Sequence, residues 1–327
     1  MNLAFLVTRL EKPSARYRVL QYLPYLHERN LNAEVFIIPG DRKERRDLFR
    51  KLKGFDVVFL QKKLLSYRDL YLLRRNARKL VYDFDDAVMF RDTWRGNHYS
   101  FKRRWAFART ARNADRVIAG NSYLMSWARR YTERVGLLPT PIPMERYPLK
   151  DTNPEDECVT LGWLGSSSTI RYLELIRGAL ESLSGMFPGI RLKIVSDSFL
   201  SFNNIPVENK MWNSEDEISD LHSFDVGLMP LTDDVWTRGK CGFKLLQYMA
   251  AGIPVVCSPV GMNREIVQDG VQGYWAETQD EWIEKLSLLI RDPLLRKKMA
   301  DEGRKQVDAN YSLSANSVKL MDMIESL

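Results

Sequence analysis

Short apolar runs bounded by turn residues recur along this chain with helix-periodic stretches between them, and that alternation constrains the fold more than any other feature. Residues 3–7, 35–38, 57–60, 80–83 and 117–120 read as strands. The stretches near 16–29, 66–78 and 123–134 carry helical spacing. Strand-helix alternation implies parallel sheet covered by helices on both faces. The pattern breaks at "LLPTPIPMERYPLKDTNPEDE", which holds five prolines between residues 137 and 157 and ends acidic, as an interdomain linker does. Alternation then resumes with strands at 159–164, 190–195, 226–229 and 254–258, a helix from about 169, and a helix expected from about Lys240. The last fifty residues look helical throughout. The fold class expected is therefore α/β, with two Rossmann-like doubly wound domains facing a cleft. One domain spans 1–150 and the other 151–327, with the last helix expected to pack back on the first.

A length of 327 residues suits two such domains of about 150 residues each. Charge divides along the same line. Residues 1–150 hold 32 Lys and Arg against 15 Asp and Glu, and residues 151–327 hold 17 against 27, for net charges of +17 and −10. A basic half implies an anionic partner such as nucleic acid, an anionic membrane surface or a phosphorylated substrate, against the plainer reading of a solvated basic surface. Three cysteines without CxxC spacing and three histidines outside any HExxH pattern point away from a disulfide framework and from a metal centre. No apolar run nears the roughly 18 residues that cross a bilayer, and "MNLAFLVTRL" lacks signal-peptide organisation, so a cytoplasmic protein is expected.

In doubly wound folds ligands gather beyond the carboxyl ends of the strands, which directs attention to three turns. In "TRLEKPSARYRVLQYLPYL", Arg16 and Arg18 fall in the first turn of a helix, where cations oppose the helix dipole. Either an anionic ligand or a carboxylate such as Glu11 compensates them. In "LGWLGSSSTIRYL", Gly165, Ser166, Ser167, Ser168 and Thr169 follow a strand and precede a helix, as a phosphate cradle or as ordinary N-caps. In "RGKCGFKLLQYMAAGIPVV", a helix from Lys240 would set Lys240, Lys244 and Gln247 on one stripe, a solvated face or an anion site. Arg238 adds a cation at the helix start. Asp83, Asp85 and Asp86 in "VYDFDDAVMF" could bind a metal or hydroxyls, or form an Asx turn and salt bridges. Trp212, near a strand end, could stack on a base or join the core.

The stretch "FKLLQYMAAGIPVVCSPVGMNREIVQDGVQGYW" resembles the donor-binding region of GT-B retaining glycosyltransferases of family 4. The family pattern runs roughly E-x7-E-x-M-A-x-G-x-P-V-V, then G-x-x-E-I-V and G-x-x-G. Gln247, "YMAAGIPVV", Gly261, "REIV" and "GVQG" carry the match, with weaker likeness in "SARYRVLQYLPYL", "VIAGNSYL" and "LGWLGSSST". The chain departs from the pattern where the two acids belong, with Gly239 at the first and Gln247 at the second. A neutral Gln keeps hydrogen bonds to a ribose diol but loses their charge-assisted component. The Arg and Lys pair that usually follows the first strand of the second domain is also missing.

What the resemblance implies is transfer of a sugar from a nucleotide-diphosphate sugar with retention, without metal or cofactor. Lys244 and Lys240 would stabilise the leaving diphosphate. Gly165, Ser166, Ser167, Thr169, Arg238, Gln247, Trp212 and Gly261 would bind the donor, and Arg16, Arg18, Asp85 and Asp86 would meet acceptor or diphosphate. The partners expected are an anionic or lipid-linked glycan acceptor and an anionic membrane touched peripherally, on its inner face, and not nucleic acid. A non-catalytic nucleotide-sugar binder and a sugar-nucleotide epimerase on the same fold are the alternatives, with a nucleic-acid-binding protein behind them.

Overall fold

The buried runs become the strands of two sheets in the computed structural model, which describes residues 1–150 and 158–327. β1 (Asn2–Val7), β2 (Asn32–Ile37), β3 (Val57–Gln61), β4 (Lys79–Phe84), β5 (Arg116–Ala119) and β6 (Val135–Leu137) pair in parallel in the order β2-β1-β3-β4-β5-β6. β7 (Val159–Leu164), β8 (Ile190–Ser196), β9 (Val207–Met211), β10 (Val226–Met229), β11 (Val255–Cys257) and β12 (Gly273–Trp275) pair in parallel in the order β12-β11-β10-β7-β8-β9. In each sheet the chain winds outward from its first strand in one direction and then in the other. The topological switch therefore falls between β1 and β3 in the first sheet and between β7 and β10 in the second.

Both faces of each sheet are covered. Along β1, Leu3, Phe5 and Val7 pack into one apolar cluster with Leu320 and Ile324, while Ala4 and Leu6 pack into another with Phe49 and Leu73. Such two-sided burial explains why the central strands read as continuous apolar runs. No helix among the described residues is long and apolar enough to cross a membrane.

The chain forms two compact units whose limits differ from a single cut at residue 150. One comprises Met1–Pro141, Asp234–Cys241 and Leu313–Leu327, and the other Ile142–Asp233 and Gly242–Ser312. Residues 142–150 belong to the second unit for clear reasons. Ile142 and Tyr147 are buried among Tyr248 and Met249. Lys150 Nζ donates to the Phe224 carbonyl at 2.9 Å and to Asp225 Oδ1 at 2.6 Å. The acidic end of the expected linker, 151–157, lies outside the described residues. The first unit carries 33 Lys and Arg against 17 Asp and Glu, a net charge of +16.

Candidate functional site

In the second unit the candidate residues follow strand ends. Gly165 follows β7, Trp212 follows β9 and Gly261 lies beyond β11. The helix Phe243–Ala250, which follows β10, stands beside the switch point between β7 and β10. It is tied to β7 by the Tyr248 hydroxyl, which accepts from the Leu164 N–H at 2.9 Å.

The helix begins three residues later than the spacing predicts. Gly242 stands at its N-cap with φ of 62°, a left-handed backbone that glycine adopts without strain, so the helical repeat cannot extend back to Lys240. The expected stripe of Lys240, Lys244 and Gln247 does not form. Lys244 and Gln247 share the helix in the second unit, whereas Arg238 and Lys240 are built into the first.

Lys244 is held in a defined place. Its Nζ donates to Thr169 Oγ1 at 3.3 Å and stands 4.6 Å from the centroid of the buried Trp163 ring. Gly165 is required beside that ring, because a Cβ there would lie 2.2 Å from Trp163 Cη2. The Ser166–Thr169 turn is less open than an anion cradle. The Ser167 N–H donates to Asp197 Oδ1 and its hydroxyl to Asp197 Oδ2 at 3.1 Å. The Ser166 N–H donates to Thr169 Oγ1 at 3.3 Å. The following segment, Ile170–Ile176, is a 3-10 helix, which tightens the turn further.

Gln247 lies at the end of a buried hydrogen-bond chain. Its carboxamide donates to the Tyr147 hydroxyl at 3.1 Å, and that hydroxyl donates to Glu217 Oε1 at 3.3 Å. The other Glu217 oxygen accepts from the Trp212 indole N–H at 3.0 Å. Gln247 and Glu217 are buried, and Trp212 is 38% exposed, so the indole is not a core side chain. Where an acid was expected, Gln247 thus donates to a hydroxyl that a buried carboxylate, Glu217, already holds from the other side. Gly261 adopts φ 52° as the chain leaves β11, which accounts for glycine at that position without a ligand.

The remaining candidates lie in the first unit. Arg18 is buried and fully engaged: its Nε donates to Asp83 Oδ2 at 2.9 Å, and its Nη1 to the Leu138 carbonyl at 2.9 Å and Thr140 Oγ1 at 3.2 Å. The carboxylate that compensates it is therefore Asp83 rather than Glu11 or a bound anion. Arg16 places its guanidinium 5.0 Å from the Tyr17 ring centroid. Asp85 lies 3.3 Å from Lys62 Nζ, which also pairs with Asp86. Burial and the neighbouring Asp86 push the Asp85 carboxyl up, against the pull of Lys62. Burial holds the Lys240 ammonium below the usual lysine range; Asp86 opposes this and the Lys62 cation reinforces it.

The segment Asp234–Cys241 is stitched to this cluster. Asn121 Nδ2 donates to the Lys240 carbonyl at 3.1 Å, the Tyr123 hydroxyl to the Val235 carbonyl at 3.2 Å, and Cys241 Sγ to the Asp85 carbonyl at 3.1 Å. Gly239 packs so closely that a Cβ would lie 2.6 Å from Ala87 Cβ and 2.8 Å from its nitrogen. The acid missing from this position has no room to stand. Lys62, Tyr147, Asp197 and Glu217 escaped the sequence reading. Only Asp197, directly after β8, and Glu217, which opens the helix Glu217–His222 behind the polar stretch after β9, had a signal that could have found them.

The chain is similar to known proteins in one segment of its sequence and in its fold. Residues 213–306 match the family model described as Glycosyl transferases group 1. Over 111 residues, 33% of this chain, the sequence is 24% identical to the trehalose synthase of Pyrococcus horikoshii, and the match spans 27% of that protein. Among solved structures, Anabaena Alr3699/HepE in complex with UDP shares the fold over 100% of both chains with a TM-score of 0.76 at 14% identity. Sucrose-phosphate synthase from Thermosynechococcus elongatus does so over 99% of this chain and 98% of its own, with a TM-score of 0.76 at 14% identity. The lipopolysaccharide outer core galactosyltransferase WaaB matches over 100% and 99%, with a TM-score of 0.71 at 13% identity. Residues 213–306 are thus similar to the glycosyl transferases group 1 family, within a chain that has the two-unit, Rossmann-like GT-B fold.

Proposed function

We propose that this chain is a family 4 glycosyltransferase that moves a sugar from a nucleotide-diphosphate sugar to an acceptor, with retention of anomeric configuration and without metal or cofactor. The observation that carries the reading is Lys244, oriented by Thr169 and Trp163 beside the β7–β10 switch point, inside the segment that matches the glycosyl transferases group 1 model. A preorganised cation there meets the negative charge that develops on the leaving diphosphate, which is the largest demand of the step. The complexes of Anabaena HepE with UDP and with UDP-glucose support a uridine nucleotide as donor. The acceptor is an anionic or lipid-linked glycan, in cell-surface glycan or glycolipid synthesis at the cytoplasmic face of a membrane touched peripherally, and the basic first unit supports that reading.

The test begins with nucleotide diphosphates and their sugars in a thermal-shift screen, since a ligand at 100 times its Kd stabilises the native state by about 2.7 kcal/mol. Lys244→Ala is then expected to lower kcat/KM at least about tenfold, on the order of 1.4 kcal/mol of transition-state stabilisation. Unchanged turnover overturns the assignment, and an inverted anomeric centre in the product overturns retention. One observation favours a second reading, a non-catalytic nucleotide-sugar binder: the backbone packing at Gly239 leaves no space for the first family acid. Donor binding without transfer across a broad acceptor panel would establish it. An epimerised sugar from donor alone would indicate an epimerase.

A further inference from the structure

The first unit contains a cavity of about 1510 Å3 that, of the residues described above, only Lys62 lines. Its walls come from the segments beyond β1, β2, β3 and β4 together with the exposed face of the helix Phe101–Asn113, so it sits at the carboxyl edge of the sheet around the β1–β3 switch point. That volume exceeds the ~300–1,000 Å3 of ordinary small-molecule pockets and suits an extended ligand.

Its chemistry is lopsided. Nine Lys and Arg side chains line it against one carboxylate, Asp69. Asp69 pairs with Arg45 at 3.2 Å, and Lys62 turns to Asp85 and Asp86. Among the described residues the other seven, which include Arg9, Lys63, Arg91 and Lys102, take part in no ion pair. The Nε atoms of Arg45 and Arg109 are buried with no hydrogen-bond partner among the described residues, an arrangement that costs stability unless something accepts from them. Lys62 holds φ of 60°, a left-handed backbone uncommon for a side chain of its size and of the kind stored at ligand sites. Aromatic rings share the lining: Tyr67, Phe101 and Trp105 are 65%, 81% and 58% exposed. The Arg109 guanidinium lies 5.6 Å from the Tyr67 ring centroid and 5.9 Å from that of Trp105.

We propose that this cavity is the acceptor site and that its ligand is an oligosaccharide bearing at least two anionic groups, phosphate, sulfate or carboxylate, whose sugar rings lie against the exposed aromatic faces. Cations supply the anion contacts, and Arg forks suit these oxyanions bidentately. The rings take the apolar C–H faces of the sugars. A membrane surface or a nucleic acid would satisfy the charge alone. The position at a switch point, in a chain with a segment similar to the glycosyl transferases group 1 family, favours the saccharide. The proposal rests on the glycosyl-transfer reading for the word acceptor.

Isothermal titration of the full chain tests it with a sulfated tetrasaccharide, neutral maltotetraose, a single-stranded oligonucleotide, phosphatidylglycerol vesicles and, separately, UDP. The sulfated tetrasaccharide is expected to bind with an affinity that falls as salt rises, and maltotetraose at least tenfold more weakly. The double variant Arg91→Glu, Lys102→Glu, both at exposed positions, is expected to lose at least tenfold for the sulfated ligand with UDP affinity unchanged, and Trp105→Ala at least threefold. Equal binding of maltotetraose, or an unchanged Kd in the double variant, overturns the proposal. So does binding of vesicles or oligonucleotide without binding of the sulfated tetrasaccharide. Failure of UDP to bind while the sulfated ligand binds overturns the donor reading and leaves the saccharide site standing.

Discussion

Restoring the family acid at position 247 is expected to harm this protein, and the size of the effect follows from the local geometry. In Gln247→Glu the new carboxylate faces the Tyr147 hydroxyl, whose one proton is directed to Glu217. The N–H donor is lost and an acceptor meets an acceptor, at about 1–3 kcal/mol for a buried unsatisfied group. The donor atom of Gln247 and Glu217 Oε1 lie 3.1 and 3.3 Å from the same oxygen, so two charges there would stand no more than 6.4 Å apart. Their repulsion is about 2.6 kcal/mol at an effective dielectric constant of about 20. Protonating the new carboxyl removes both terms and caps the loss. From an unperturbed pKa of about 4.3 that cap is about 3.7 kcal/mol at pH 7 and about 1 kcal/mol at pH 5. The sign is that of a carboxyl whose folded-state pKa is raised. The penalty is absent at low pH and grows as pH rises through the unfolded value. Urea denaturation of variant and parent at pH 5 and 7 measures it. A loss of about 3–4 kcal/mol at pH 7 that shrinks to about 1 kcal/mol at pH 5 is expected. Equal midpoints at pH 7, or a larger loss at pH 5, would refute the reasoning.

Asp83→Ala leaves the Arg18 guanidinium buried without its carboxylate and is expected to cost about 3–5 kcal/mol in chemical denaturation, whereas Arg16→Ala stays within about 1 kcal/mol. Gly239→Glu, which writes the first family acid back, drives a Cβ into Ala87 and is expected to destabilise by about 1–3 kcal/mol; an unchanged melting curve would contradict the packing described. Iodoacetamide at pH 8 is expected to label Cys158, which is exposed, and to spare Cys241 and Cys257, whose thiols burial pushes up, until denaturant is added; mass spectrometry of the native protein reads the sites.

How much of this was legible in advance depended on burial. β7 and β10 match the sequence reading residue for residue, since every side chain in them is buried and turn residues flank them. β6, β9 and β12 were missed because they span three, five and three residues at or near sheet edges. In β9, "VENKM", no side chain is buried, so no apolar run marks it. The helices Arg42–Lys51 and Phe101–Asn113 were missed too, their exposed faces crowded with cations that mask the apolar spacing. At the site, Lys244 lies on the helix after β10, as the strand-helix alternation placed it, whereas Trp212 follows a strand that the alternation did not reveal. Arg18 did not behave as a ligand, because its partner, Asp83, is 65 residues away and no local pattern links the two. Gly239 and Gln247 looked like losses from a motif. Ala87 fills the space at the first, and at the second Tyr147 takes the Gln247 amide N–H while donating to Glu217; all three partners are distant in sequence.

The division of the chain into interleaved pieces also bears on how the protein is made. Met1–Pro141 shares its unit with Asp234–Cys241 and Leu313–Leu327, and Leu320 and Ile324 close the same apolar cluster as Leu3, Phe5 and Val7. On a ribosome, Leu313 is added some 170 residues after Pro141. At ~5–20 residues per second that interval is roughly 10–30 s. Over that time the apolar cluster on one face of the first-made sheet lacks Leu320 and Ile324, and by its end every piece of the second unit has been translated. The half that is synthesised first is therefore the half completed last, and its nascent form is the one that most needs shelter.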